Sequence, residues 1–262
     1  MKMPQEADTI KSTDPTITYQ KNETKVETLK KEETIKREET EIIKHVNRKL
    51  HLSWPDTGSL HFKNVHLRYR PNLPLALNHF NLSVKGGERL GIVGRTGAGK
   101  SSVFVSLLRL IEPESGSSIL LDGIELMNVG LKMIRRQLIT LIPQNPFIFS
   151  GSVRFNLDPY HQHDDEKLCS MLKDLKMLST INHRNGLDSD CGQNGSLFSH
   201  GQRQLLVVGR ALLQSHSTLI YLLDEATSSM DDDTDEIVQL AIKKHAPHIT
   251  TIIVAHRLTT VL

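Results

Sequence analysis

The chain has 262 residues, of which 38% are hydrophobic, enough for one sizeable α/β domain or for a domain with a tail. Its 32 basic and 30 acidic residues leave a net charge of +2, which predicts no nucleic-acid partner and no strong attraction to membrane surfaces. Two cysteines, Cys169 and Cys191, give no disulfide framework, and no apolar run approaches the ~20 residues that a membrane span needs.

Residues 1–50 differ in composition from the rest of the chain. They are rich in Lys, Glu and Thr and contain one aromatic side chain, Tyr19. Residues 25–46 could form a helix, but their apolar positions do not keep a heptad repeat. We therefore expect a charged tail that is disordered or helical, and less readily a coiled-coil partner site. The folded domain is predicted over residues 51–262.

From residue 58 onward, strand patterns alternate with helix patterns. The stretches 59–70 and 80–84 predict two strands, and residues 89–93 predict a short strand that leads into a helix over 100–111. The stretch 117–126 predicts a strand with a turn at Asp122-Gly123. This order implies a mainly parallel sheet, with an antiparallel β portion near the N-terminal side. Further predicted elements are a strand at 138–143, a helix at 164–178, a helix at 202–213, a strand at 219–223, a helix at 232–244 and a strand at 250–256.

A glycine-rich loop joins a predicted strand to a predicted helix in the segment GIVGRTGAGKSS. Gly94, Gly99, Lys100 and Ser101 have the G-x-x-x-x-G-K-[ST] spacing of a phosphate-binding loop. Glycines let backbone N–H groups surround a phosphate, Lys100 adds a positive charge, and Ser101 offers a hydroxyl to Mg²⁺. The loop alone leaves kinases, GTPases and ATPases open. Its candidate nucleotide-binding residues are Gly94, Arg95, Thr96, Gly97, Ala98, Gly99, Lys100, Ser101 and Ser102.

A second candidate segment is LIYLLDEATSSMD, a buried strand pattern that ends in two acidic residues. Asp224 is placed to bind a metal ion at the end of the strand, and Glu225 is placed to polarise a water molecule. Considered alone, such a pair is equally typical of a helix cap. The absence of an N-K-x-D motif argues against a GTPase.

The segment SLFSHGQRQLL reads as the start of an apolar helix. Ser199 can cap this helix, but Gly201 weakens its first turn. The positive end of a helix binds anions, so we expect an anion to approach here.

These motifs, in this order, resemble the nucleotide-binding domain of ATP-binding cassette (ABC) transporters over about residues 52–262. The resemblance extends to five further features of the family. Gln144 is similar to the Q-loop glutamine, residues 198–202 (FSHGQ) to the signature, residues 228–231 to the D-loop, His256 to the switch histidine and Tyr69 to the aromatic residue that stacks on adenine.

The sequences of several segments narrow the resemblance to one subfamily. RYRPNLPLAL, GIVGRTGAGKSS, FSGSVRFNLDP and GQRQLL are similar to the second nucleotide-binding domain of the C subfamily, the multidrug-resistance-associated proteins. The intact Asp224-Glu225 pair fits this assignment, because the first domain of that subfamily often lacks the glutamate.

The resemblance implies a P-loop NTPase (RecA-like) α/β core with an antiparallel β portion and a helical subdomain at about 150–212. It implies binding and hydrolysis of ATP with Mg²⁺, which powers export by a membrane transporter at the cytoplasmic face of a membrane. The implied partners are transmembrane domains and a second nucleotide-binding domain in a head-to-tail dimer. The implied roles are catalysis for Glu225, His256 and Gln144, Mg²⁺ binding for Ser101, Gln144 and Asp224, adenine stacking for Tyr69, and contact with the partner's ATP for Ser199, His200, Gly201 and Gln202.

The sequence also departs from the family pattern. His200 replaces the first glycine of the signature, and Phe198 replaces its leucine. The sequence ends at Leu262, soon after the switch histidine, so we expect the C-terminal elements of the domain to be truncated. Two alternatives therefore stay open: a nucleotide-sensing module with weak hydrolysis, and a truncated fragment.

Overall fold

The structure is a computed structural model that describes residues 54–214, 218–224 and 232–255. Apart from Trp54, these residues belong to one structural unit, Pro55–Leu262. The predicted charged tail at residues 1–50 lies outside the described residues.

Eight strands lie in the described part of the chain, and they form two sheets. The first sheet is antiparallel with the order β2-β1-β4-β5, and the second is parallel with the order β3-β8-β7-β6. Both the mainly parallel sheet and the antiparallel portion were predicted from the sequence, and both are confirmed. The strands are β1 (Leu60–Leu67), β2 (Leu77–Val84), β3 (Arg89–Val93), β4 (Ser118–Leu121), β5 (Ile124–Glu125), β6 (Ile139–Ile142), β7 (Ile220–Asp224) and β8 (Thr250–Ala255).

Burial along the strands explains why each sheet forms as it does. In β1, buried Leu60, Phe62, Val65 and Leu67 are separated by more exposed residues, as expected for a strand with one face on a core. In β8, all six residues are buried, which is typical of a parallel strand covered on both faces. The predicted strand 59–70 is shorter than expected because the pairing of β1 ends at Leu67.

The turn between β4 and β5 anchors the segment that precedes β1. Asp122 and Gly123 have φ values of 46° and 78°, which confirms the predicted turn at this Asp-Gly pair. The Asp122 carboxylate accepts hydrogen bonds from the backbone N–H groups of residues 56–59 and from the hydroxyls of Thr57 and Ser59. One side chain therefore holds four consecutive residues against the hairpin.

Two predicted helices end four residues earlier in the structure than expected. The helix predicted over 164–178 ends at Asp174, and Lys176 just after it has a left-handed φ of 53°. Helix α1 was predicted to reach residue 111, but it ends at Leu107 because Arg109 has a left-handed φ of 47°. The apolar residues that follow, such as Leu110, belong to the turn after the helix. The helices are α1 (Lys100–Leu107), α2 (Leu131–Met133, continued by a π-helical stretch Ile134–Leu138), α3 (Val153–Leu157), α4 (Asp165–Asp174), α5 (Leu178–Asn182), α6 (His200–Leu213) and α7 (Asp232–His245).

Helices α3 to α6 share a hydrophobic core with the parallel sheet. Leu157, Met171 and Leu206 are almost fully buried in the same cluster as Tyr221 and Ile253 of the sheet. The Tyr221 hydroxyl donates to the Ala211 carbonyl of α6 over 3.2 Å. The packing therefore fixes α6 against the strand that ends in Asp224.

Candidate nucleotide-binding site

The register of the parallel sheet brings four strand ends to one edge. Val93 pairs with Ala255, Val254 pairs with Asp224, and Leu223 pairs with Ile142. Because the strands are parallel, whatever follows each of them emerges at the same edge. The glycine loop, Asp224 and the segment that begins at Pro143 are therefore neighbours at this edge.

Two glycines of the loop have backbone conformations that other residues rarely adopt. Gly97 and Gly99 have φ values of 83° and 85°. A Cβ atom on Gly99 would lie 2.5 Å from the carbonyl oxygen of Ala76, so the neighbouring chain leaves no room for a side chain. Gly99 is also the residue before α1, and it provides no side-chain cap. The N–H groups of the first turn of α1 thus have no capping side chain.

Lys100 opens α1 and turns its ammonium group back onto the loop. The Lys100 Nζ atom donates to the carbonyl oxygens of Gly94 over 2.8 Å and Arg95 over 3.1 Å. The residue is 8% exposed, whereas the loop residues 95–98 are exposed. Two of the three N–H bonds of the ammonium hold the loop, and the third can donate to a ligand.

Ser101 and Asp224 meet across 123 residues of sequence. The Ser101 hydroxyl donates to the Asp224 carboxylate over 3.4 Å. The structure therefore brings together the hydroxyl and the carboxylate that the sequence predicts as Mg²⁺ ligands. Within the described ranges, no group of three or more His, Cys, Asp or Glu side chains could hold a metal ion. A Mg²⁺ ion bound through one or two protein oxygens and the phosphates does not need such a group.

Tyr69 lies beside the first turn of α1. The hydroxyls of Tyr69 and Ser102 are 3.1 Å apart and share a hydrogen bond, while Tyr69 as a whole is 45% exposed. The sequence assigned Ser102 to phosphate binding, and in the structure its side chain is buried and contacts Tyr69. The hydrogen bond holds an exposed aromatic ring close to the loop.

The predicted residues near the γ-phosphate are described only in part. Gln144 is exposed and lies two residues beyond the end of β6. Glu225 and His256 follow β7 and β8 directly in sequence, but both lie outside the described residues, as do residues 228–231.

The predicted signature segment forms the N-terminus of α6. The Ser199 hydroxyl accepts from the Gln202 N–H over 3.2 Å, and the Gln202 side chain accepts from the Ser199 N–H over 3.0 Å. This capping box confirms the predicted cap and extends the helix back to His200. A Cβ atom on Gly201 would lie 3.7 Å from the Thr234 side chain, an ordinary contact. Nothing in the described residues therefore requires glycine at this position.

Two polar residues of α6, the buried Gln204 and the half-buried Arg210, were not singled out from the sequence. Gln204 donates to the carbonyl oxygen of Pro143 over 3.0 Å, and Arg210 donates to that of Phe147 over 3.1 Å. Both side chains contact the segment around Gln144. The only sequence signal was the presence of polar residues within the otherwise apolar run QLLVVGRALL.

The parallel sheet, the glycine loop and the Ser101–Asp224 pair define a P-loop nucleoside triphosphatase domain. The sequence model described as "ABC transporter" matches residues 77–228, more than half of the chain. The chain therefore belongs to the ABC transporter family, and this membership implies ATP binding.

Individual relatives agree with this assignment. The chain is 44% identical to ATP-binding cassette sub-family C member 3 of Rattus norvegicus and 42% identical to member 4 of Homo sapiens, each over 80% of its length. It covers 14% and 16% of those two proteins. It also resembles the structure of a bacterial Atm1-family ABC exporter with ATP bound, with a TM-score of 0.71 and 28% identity over 78% of this chain and 35% of the exporter chain.

Membrane-spanning helices are absent from the described residues. None of the helices there combines the length and the apolar character needed to cross a bilayer.

Proposed function

We propose that this chain binds and hydrolyses ATP as a nucleotide-binding domain that powers transmembrane export by an ABC transporter. The observation that carries the proposal is the convergence of Lys100, Ser101 and Asp224 at one edge of the parallel sheet, with Ser101 and Asp224 in contact over 3.4 Å. The similarity to subfamily C transporters supports this function over a purely nucleotide-sensing role.

The residues at this edge fit a magnesium nucleotide. Lys100 and the backbone N–H groups of residues 97–101 would bind the phosphates, and the exposed ring of Tyr69 would stack on the base. Ser101, Gln144 and Asp224 offer the oxygen ligands that Mg²⁺ prefers. When bound, Mg²⁺ would neutralise part of the charge on the β- and γ-phosphates.

Hydrolysis would depend on two residues that follow buried strands. Glu225, next to Asp224 in sequence, would accept a proton from the attacking water, and His256, next to Ala255, would donate a hydrogen bond to the γ-phosphate. Both roles rest on the sequence motif. Positioning and electrostatic stabilisation account for most of the catalysis of phosphoryl transfer, so placing these groups at one sheet edge suits the reaction.

A second nucleotide-binding domain would complete the site. Ser199, His200, Gly201 and Gln202 would contact the γ-phosphate of ATP held by that domain in a head-to-tail dimer. Gly201 supports this proposal, because glycine weakens a helix and yet nothing within the described residues requires it there. A residue without a side chain lets an outside surface come close to the backbone.

The transmembrane domains would contact the region around helices α3 to α6. The chain would then lie at the cytoplasmic face of the membrane. An open groove of about 910 Å³ supports such a contact. It has basic, apolar and aromatic lining residues, among them Lys132, Arg136, Leu141 and Tyr160. Phe147, which is 59% exposed, borders an adjoining smaller groove.

Phosphate release from MgATP by the purified chain tests the proposed hydrolysis. Because a complete site needs two domains, turnover per chain should rise with chain concentration. The variant Glu225→Gln should bind MgATP as tightly as the unaltered chain. Its turnover should fall at least roughly 100-fold, the usual contribution of a general base. Tight MgATP binding with no turnover at any concentration, including after addition of a partner domain, would instead support the sensing role.

A further inference from the structure

Helix α6 carries two polar side chains, the buried Gln204 and the half-buried Arg210, that reach the segment after β6. Gln204 is 0% exposed, and burial lowers the pKa of the Arg210 guanidinium to about 10. Their partners on that segment are the carbonyl oxygens of Pro143 and Phe147, which lie on either side of Gln144. The helix therefore holds the segment at two points.

The contact of Gln204 is with the peptide group that leads directly into Gln144. The Pro143 carbonyl belongs to the peptide bond between Pro143 and Gln144, and it accepts from the Gln204 Nε2 atom over 3.0 Å. Among the described residues, the other amide atom, Gln204 Oε1, is buried without a hydrogen-bond partner. A buried amide that satisfies only one end is a poor way to stabilise a core. A role in holding the peptide group before Gln144 explains Gln204 better.

Arg210 contacts the other end of the segment. Its Nη1 atom donates to the Phe147 carbonyl over 3.1 Å, and its Nε atom donates to the Asn156 carbonyl over 2.6 Å. The guanidinium also lies over the Phe149 ring, 4.7 Å from the ring centre. In the ranges that the structure describes, no carboxylate forms an ion pair with Arg210. Carbonyl groups and an aromatic face take the place of a counterion.

We propose that Gln204 and Arg210 are positioning residues, which fix the placement of Gln144 relative to the nucleotide by holding residues 143–149 on α6. The same helix begins at the Ser199–Gln202 capping box, which would face the ATP of the partner domain. One helix thus links the glutamine of one nucleotide site to the contact surface of the other. This inference rests on the proposed function, in which Gln144 offers an oxygen ligand to the Mg²⁺ bound with ATP.

The test compares the affinities of the purified chain for MgATP and MgADP by calorimetry. Gln144→Ala should weaken MgATP binding roughly tenfold, as expected for one hydrogen bond to a charged group, and change MgADP binding less than about twofold. Gln204→Met keeps the length and burial of the side chain but removes its donor. It should weaken MgATP binding about fivefold and leave MgADP unchanged. In the double variant the two effects should not add, because both act through Gln144.

Two further variants separate positioning from general loss of stability. Leu212→Ala, at a buried position of the same helix that makes no side-chain hydrogen bond, should lower the melting temperature without changing the ratio of the two affinities. Arg210→Lys keeps the charge but loses the forked donor geometry, so it should change the ratio in the same direction as Gln204→Met. It also provides the test if Gln204→Met does not fold.

The outcomes distinguish the inference from the function on which it rests. If Gln144→Ala changes the ratio but folded Gln204→Met and Arg210→Lys do not, the positioning role is wrong and the proposed function stands. Additive effects of Gln144→Ala and Gln204→Met would also overturn the positioning role. If the unaltered folded chain binds neither nucleotide, or if Gln144→Ala leaves the ratio unchanged, the assigned role of Gln144 fails and this inference fails with it.

Discussion

Helices α1 and α6 both offer a positive N-terminus, but the two ends are built differently. Gly99 precedes α1 without a side-chain cap, whereas Ser199 and Gln202 cap α6 with two reciprocal hydrogen bonds. The end of α1 also carries Lys100, whose ammonium lies against the loop. The N-terminus of α1 therefore keeps its N–H donors for a ligand, whereas the N-terminus of α6 already has some of its N–H groups hydrogen-bonded to its own side chains.

The difference shows which end can form a binding site by itself. The end of α1 has a loop, a cation and a neighbouring carboxylate, so it can surround a phosphate within one chain. The end of α6 is a capped surface with a glycine that none of the described neighbours requires. Such a surface suits an anion that is already bound elsewhere.

The largest effect is expected where the loop approaches β2. Gly99→Ala should destabilise the chain by about 3 kcal/mol or more, because it combines a left-handed φ with a Cβ 2.5 Å from the Ala76 carbonyl. Gly97→Ala is the matched control: it has a similar φ but no atom within 4 Å of the added Cβ, so about 1–2 kcal/mol is expected. Denaturant unfolding measures both. Equal losses would show that the close contact does not matter.

A smaller effect is expected in the antiparallel sheet, where Asp122 serves as a reference because it belongs to neither helix end. Burial raises the pKa of the Asp122 carboxyl, but hydrogen bonds from the Thr57 hydroxyl and from Gly58 and Ser59 hold it well below its ordinary value. Asp122→Asn should cost about 2–3 kcal/mol, since an amide turns donors towards these N–H groups.

The same carboxylate predicts a dependence of stability on pH. Because its pKa is lower in the folded chain, its contribution is fully present above the ordinary carboxyl pKa of about 3.9 and is lost as pH falls below that value. Melting temperatures between about pH 6 and pH 3 should fall less steeply for Asp122→Asn than for the unaltered chain. Parallel curves would exclude Asp122 as a source of acid sensitivity.

At α6, removal of the cap should have a moderate effect. Ser199→Ala should destabilise the chain by about 1 kcal/mol, the usual cost of losing an N-cap side chain. Ser199→Asp keeps a capping oxygen and should retain the stability, but its charge should repel the phosphate of a partner and lower turnover. If Ser199→Asp turned over as fast as the unaltered chain, contact of this residue with a phosphate would be contradicted.

The smallest effect on stability is expected at Gly201. Alanine is a better helix former and would make only ordinary contacts, so Gly201→Ala should leave the unfolding free energy unchanged or raise it by up to about 1 kcal/mol. Turnover that depends on chain concentration should nevertheless fall, because the new methyl group would keep a partner away. Unchanged turnover would show that no close approach occurs there.

The sequence predicts those features that depend on local pattern. The Asp122-Gly123 turn, the parallel strands and the Ser199 cap all follow from residue types at short spacing, and the structure confirms them. The predicted end of α1 was wrong because the apolar pattern continues to residue 111, whereas the backbone turns at Arg109. The Arg109 side chain donates hydrogen bonds to the carbonyl groups of Leu126, Met127 and Val129, and local sequence does not reveal these contacts.

The candidate site shows the same division. The motif spacing indicates the loop and Asp224, which lie at the ends of strands whose pattern is clear, whereas Gln144 was indicated by the resemblance to the family. The bond between Ser101 and Asp224 and that between Gln204 and Pro143 span 123 and 61 residues of sequence. Such contacts depend on how the strands and α6 pack, and no local pattern determines which way a single polar side chain of a buried helix will point.

Calorimetric titration with MgATP, carried out on the unaltered chain and on Lys100→Met, tests the central claim most directly. Methionine keeps the apolar stem of Lys100 but removes the ammonium that lies on the loop. The account predicts saturable binding at one site in the unaltered chain and binding at least about tenfold weaker in the variant. A chain that unfolds cooperatively but gives no saturable heat with MgATP, or equal affinities for the two proteins, would contradict it.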